Sequence, residues 1–266
     1  VDKSGMLTEL LKTESTEVTL ITRPRRFGKT LGMSMLSSFF DIRKDSRALF
    51  DGLEITGHTV LCDKWMNQYP TIFLSLKDVD GLTFSSAYEM LSATVSDLYK
   101  EHLYLLDSER VNSYDKELIR RIAAGDATVT DIKKSVALLI RTMSVHYGKP
   151  VVFLLDEYDV PAAKASSHGY YANMLEVIRA MLSTALKDNR YLQFSVITGC
   201  LKIAKESIFT GTNHFVSDTM SSSGFNEYFG FTEDDVRKLL QDAGMESRAE
   251  MMKAWYDGYH FGNVNV

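Results

Sequence analysis

Gly28-Lys29-Thr30 closes a basic loop, "TRPRRFGKT", that follows the apolar run Val18–Thr22. These residue types, in this order, suit a bound phosphate chain. Glycine lets the backbone approach an anion closely, a lysine ammonium can bridge β- and γ-phosphates, and a threonine hydroxyl can ligate Mg2+. A helix starting here adds converging N–H groups and the positive end of its dipole. The front of the loop breaks the usual pattern G-x-x-x-x-G-K-[ST]. Arg23 stands where the first glycine belongs, and Pro24 follows it. Arginine resists the left-handed turn that glycine allows, and proline removes an amide donor. The loop is therefore expected to take another path, with Arg25 or Arg26 supplying charge in place of amides.

A second group of residues gives this loop a counterpart. "PVVFLLDEYD" is an apolar strand run that ends in Asp156-Glu157. Two adjacent acids at the end of a buried strand are costly unless a cation or hydrogen-bond donors receive them. In phosphate-loop enzymes an acid at this point steadies Mg2+ opposite the loop's Ser/Thr, and a following glutamate can polarise the attacking water. The carboxyl edge of an open α/β sheet is also where ligands bind. The same dipeptide occurs at ordinary solvated turns, so the combination with the loop carries the reading. "FSVITGC" ends another apolar run at Thr198. That residue is either a contact to a γ-phosphate or lytic water, or a threonine of ordinary strand propensity before a glycine turn.

These side chains need a scaffold that brings distant segments to one edge. Five β-type runs stand out, at Val18–Thr22, Thr71–Leu76, Val151–Leu155, Leu192–Thr198 and, more weakly, His214–Ser217. Helical patterns at Thr30–Asp41, Ser85–Leu105, Asp115–Ala124, Val129–Tyr147 and Ala172–Lys187 separate them. Alternation of this kind predicts a parallel sheet covered on both faces. The long stretch between the second and third strands reads as a helical insertion at about residues 83–148. After residue 224 no further strand is expected. "GFTEDDVRKLLQDAG" offers Thr232 as a helix N-cap, three acids in the first turn and Gly244 as a stop.

Composition narrows the classes. At 266 residues, 45% hydrophobic and 24% charged, the chain suits one α/β domain with a small appended part. Thirty basic against thirty-five acidic residues, net −5, argue against broad adhesion to nucleic acid while leaving room for a local basic patch. Cys62 and Cys200 are far apart and fit no metal spacing, nor do the six histidines. Two such distant cysteines fit a reducing, cytoplasmic environment, and with no apolar run reaching the roughly 18 residues of a membrane helix, no membrane partner is expected. The start at Val1 and the stop at "GNVNV" suggest a piece of a longer protein.

With these residues placed, the chain resembles a bacterial family described as predicted AAA-ATPase-like proteins. The resemblance rests on "VDKS", "TRPRRFGKT", "LLDEYDVP", "ALKDN", "TGCLKIAKESIFTGTNHF", "EYFGFTEDDV" and "WYDGYHFG". It makes the missing glycine that family's own variant of the loop. Two departures stand in one segment. Lys202 occupies a place where arginine is common, and "TGTNH" replaces Ser-Gly-Leu-Asn-Asn, keeping Asn213 but placing His214 beside it. The resemblance also implies a nuclease-like module of the PD-(D/E)XK type beyond this chain, to which any DNA chemistry would belong.

Residues and resemblance together predict an α/β fold, a P-loop NTPase three-layer sandwich with a mostly parallel sheet. Residues 1–223 form the core with its insertion, and residues 224–266 a small helical subdomain. The expected ligands are ATP and Mg2+. Arg25, Arg26, Phe27, Gly28, Lys29, Thr30 and Leu31 would bind the nucleotide, and Thr30 with Asp156 would hold the metal. Lys29, Glu157 and Thr198 would carry catalysis, with Glu157 positioning water. Arg179, Arg190 and Arg237 are weaker candidates for an arginine finger, and Tyr256, Tyr259 and Phe261 for stacking on a base. Two rivals stand beside the ATPase reading: a nucleotide-holding regulatory scaffold without turnover, and a kinase. The glutamate after Asp156 speaks against the kinase.

Overall fold

A computed structural model describes residues 1–12, 17–201, 203, 209, 215–222, 224–255, 258, 260–261 and 264–265. Its central sheet contains β1 (Val18–Thr22), β2 (Thr71–Ser75), β3 (Val151–Asp156), β4 (Leu192–Gly199) and β5 (Phe215–Asp218). The spatial order is β2-β3-β4-β1-β5, and every pairing is parallel. All residues of β1 and β3 are buried. A strand covered on both faces has no solvent side, which is why these runs are continuously apolar and do not alternate.

Helices cover both faces, making three layers. On one side α1 (Gly5–Leu11), α2 (Lys29–Phe40), α3 (Arg47–Phe50) and α4 (Thr59–Trp65) pack Leu7, Leu36, Phe40 and Trp65 against Ile21, Val152, Leu154 and Val196. On the other side lie α5 (Phe84–Lys100), α6 (Ser113–Ala124), α7 (Val129–Tyr147), α8 (Val160–His168) and α9 (Tyr171–Leu186). Here Leu91, Ile119, Leu139 and Met181 meet Leu20, Leu74, Phe153 and Ile197. Each fully buried Leu, Ile or Phe contributes about 1.5–3 kcal/mol relative to exposure. This two-sided core sets the positions of the strand ends.

Local signals set the helix boundaries. Thr83 and Thr128 form capping boxes with Ser86 and Asp131 at the starts of α5 and α7. Beyond the sheet, α10 (Glu233–Asp242) starts from a third such box, Thr232 with Asp235, and α11 (Ala249–Trp255) follows.

Three expectations are corrected. The helix expected to run to Leu105 ends at Lys100, and a 3-10 turn, Leu103–Asp107, follows. His102 is buried at the break, beside Arg43 and Tyr104, so the chain turns inward there. Helices α1, α3, α4 and α8 were not expected; at four to nine residues they are too short to display a helical period. Strands do not cease after residue 224: β6 (His260–Phe261) and β7 (Val264–Asn265) pair antiparallel. Two residues cannot show an alternating pattern.

Candidate functional site

The site stands at the carboxyl edge of the sheet, where β1 delivers the loop to α2 and β3 delivers its acids. β4 lies between these two strands, so Thr198, one residue beyond the Leu155–Ile197 pair, sits beside Asp156. The two oxygens of Asp156 are each engaged. Thr30 Oγ1 donates to Oδ2 at 2.7 Å, and Thr198 Oγ1 donates to Oδ1 at 2.6 Å. Asp156 is fully buried, so these donors replace the water that its charge would otherwise require.

Lys29 is also buried. Its Nζ donates to the Pro24 carbonyl at 3.0 Å and lies 3.3 Å from Cys200 Sγ and 3.6 Å from Glu157 Oε1. The lysine, threonine and both acids predicted from separate segments are therefore brought together. Burial pushes the Glu157 carboxyl above the usual range; the Lys29 ammonium opposes this, while the nearby Asp156 and Asp159 charges add to it.

The backbone is unusual at the same place. Gly28 has φ +80°, open to glycine at no cost, but Arg26 has φ +70° and Glu157 φ +55°. A non-glycine residue held in that region costs on the order of 1–3 kcal/mol, and such outliers concentrate at functional sites. Beneath the site, Asp159 accepts from the N–H groups of Cys200, at 3.1 Å, and Leu201, at 2.8 Å. Gly199 is needed here, because a Cβ would stand 2.4 Å from Asp159 Oδ1.

Arg23, the residue in place of the first glycine, does not line the loop. Its side chain is fully buried and turned towards the β5 edge. The guanidinium donates to the Asp218 carboxylate, to Asn226 Oδ1 at 3.1 Å and to the Thr22 carbonyl at 2.9 Å, and lies 5.3 Å from the centre of the Phe229 ring. Gly230 N–H donates to the Phe27 carbonyl at 3.1 Å. The loop is thus tied at two points to the segment after β5. Asp218, Asn226 and Phe229 were missed by sequence reasoning. The available signal was Arg23 itself, since a buried guanidinium requires a carboxylate.

The other expected residues are distributed unevenly. Arg25 and Arg26 are exposed beside the loop, Phe27 is partly buried, and Leu31 is exposed on the first turn of α2. Arg190 lies against the Tyr191 ring and Arg237 pairs with Asp234. Lys202, Asn213, His214, Tyr256 and Tyr259 lie outside the described residues, and nothing is described of the Phe261 side chain. Among the described residues no three His, Cys, Asp or Glu side chains gather as a metal cage, and no helix is long and apolar enough to cross a membrane.

A glycine-lysine-threonine turn at a helix start, facing a buried acid across parallel strands, defines a P-loop NTPase-like α/β sandwich. The family described as "Predicted AAA-ATPase" matches residues 1–209, which include the loop, Asp156-Glu157 and Thr198; the chain belongs to that family. It is also similar to the "Uncharacterized protein in vnfD 5'region" of Azotobacter chroococcum mcd 1, 26% identical over 98% of this chain and 45% of that protein. The chain thus spans less than half the length of that curated relative.

Proposed function

We propose that this module binds ATP together with Mg2+ and hydrolyses it, using turnover as a conformational switch. The observation that carries the reading is the convergence on Asp156: a loop hydroxyl and a strand hydroxyl take its two oxygens, with the Lys29–Glu157 pair alongside. In this reading Lys29 leaves its contacts with Pro24 and Glu157 to neutralise β- and γ-phosphate charge. The exposed Arg25 and Arg26 supply charge that the loop's missing amides do not. Thr198 orients the γ-phosphate or the water beside it.

The donor set suits magnesium. Thr30 and Asp156 offer oxygen alone, and Mg2+ takes one or two protein oxygens with phosphate and water for the rest. Bound there, the ion would neutralise charge developing on the phosphoryl group. Glu157 holds the water: its carboxyl is buried enough to attract a proton more strongly than an exposed glutamate.

Phosphate release by the purified protein, with Glu157→Gln as control, tests the assignment. The expected result is Mg2+-dependent release that falls about a hundredfold or more in the variant, with nucleotide binding retained. A second reading has its own support. Glu157 is engaged by Lys29, an arrangement that suits a scaffold holding nucleotide without turnover. Tight binding with no release by either protein would select it.

A further inference from the structure

The site edge holds one more hydroxyl. Ser75 is the last residue of β2 and registers with Asp156 of β3. Its neighbours Ile72 and Leu74 belong to the α5–α9 side of the sheet, as do Phe153 and Leu155 of β3 and Ile197 of β4. Strand side chains alternate between faces. Ser75, Asp156 and Thr198 therefore form a row on the opposite face, under α2. Thr198 and Thr30 each hold one oxygen of Asp156. The Ser75 Oγ is shut off from solvent and has no hydrogen-bond partner among the described residues.

A buried hydroxyl without a partner is costly, and alanine would fill the same place without that cost. Both carboxylate oxygens beside it already have protein donors, so what is missing is a group that arrives with a ligand. Magnesium keeps several of its waters when it binds, and these are strong donors. We infer that Ser75 is a positioning residue for a hydrated divalent cation: its hydroxyl accepts from a water in the cation's coordination shell, on the side of Asp156 away from Thr198. Residues that orient a metal's immediate ligands in this way typically change its affinity by 10–100-fold. The inference rests on the nucleotide-site reading above and adds a determinant of cation affinity.

The test is Mn2+ binding, followed by the loss of the free-ion electron paramagnetic resonance signal, with a non-hydrolysable ATP analogue present. Parent, Ser75→Ala, Ser75→Thr and Thr30→Ala are compared, each checked for folding by thermal melting. The expected result is Mn2+ affinity about tenfold or more weaker in Ser75→Ala. It is restored in Ser75→Thr, while the affinity of the two Ser75 variants for the analogue in chelator matches that of the parent. A merely structural role would move the melting temperature and leave the Mn2+ titration alone. Mn2+ affinity within twofold of the parent in Ser75→Ala, with Thr30→Ala clearly weakened, would overturn the role of Ser75 and leave the site standing. No effect in either variant would overturn both.

Discussion

Glu157 occupies a left-handed backbone position, is partly withdrawn from solvent and has three charged neighbours. With Glu157 in its proposed role of holding the attacking water, its raised pKa gives the rate of hydrolysis an expected sign with pH. The carboxylate is the form that accepts hydrogen from water, so activity should be absent while the group is protonated and should rise as pH climbs through its folded value. Because burial lifts that value, the acid limb of kcat should lie above the range of an exposed glutamate. A kcat profile from pH 4 upward checks this, and the limb should vanish in the residual activity of Glu157→Gln. A limb in the ordinary glutamate range, or one that survives the substitution, would remove the residue from the chemistry.

Between elements, the most consequential contact is Arg23 with Asp218, joining the end of β1 to the end of β5 with both side chains buried. Removing one partner of such a pair strands the other charge and typically costs about 3–5 kcal/mol. Arg23→Gly restores the ordinary glycine of a phosphate loop, yet it should lower the urea midpoint, and the unfolding free energy obtained from it by an amount in that range. An unchanged midpoint would mean that the pair contributes nothing. A second element-scale effect comes from the turn after α5. His102 is held at a pKa of about 4, against 6.5 for a free histidine, by burial and the Arg43 guanidinium, with Asp41 opposing. The Tyr104 ring packs beside His102, and Tyr104 in turn meets His146 and Tyr147. The unfolded chain takes up a proton below 6.5 that the folded one refuses until about 4. Stability from this group is therefore complete above 6.5 and is lost as pH falls towards 4, amounting to about 3 kcal/mol. Melting temperatures across that interval should fall more steeply for the parent than for His102→Gln.

At the scale of the whole molecule, the parallel sheet and its coverage were legible because β1 and β3 are continuously apolar and the longer helices carry a clear period. Lys29, Thr30, Asp156 and Thr198 were also legible, since each follows or ends an apolar strand run, and parallel strands bring such ends to one edge. The strand order was not. That β4 separates loop and acid, and so places Thr198 between them, depends on long-range pairing that no local pattern encodes. Arg23 read as a loop residue because sequence cannot say that its side chain turns inward to a carboxylate 195 positions away. Ser75 had no motif at all; only register with Asp156 marks it.

On the proposal above, the loop and the paired acids form one nucleotide site. Calorimetric titration of the parent and of Lys29→Ala with a non-hydrolysable ATP analogue and Mg2+ decides whether they do. A charged hydrogen bond contributes about 1.5–3 kcal/mol, and about 1.4 kcal/mol is a factor of ten. The affinity of Lys29→Ala should therefore fall by about tenfold to a hundredfold or more, with the fold intact. Equal affinity of the two proteins for the Mg2+ complex would mean that Lys29 does not contact the nucleotide and that the site lies elsewhere.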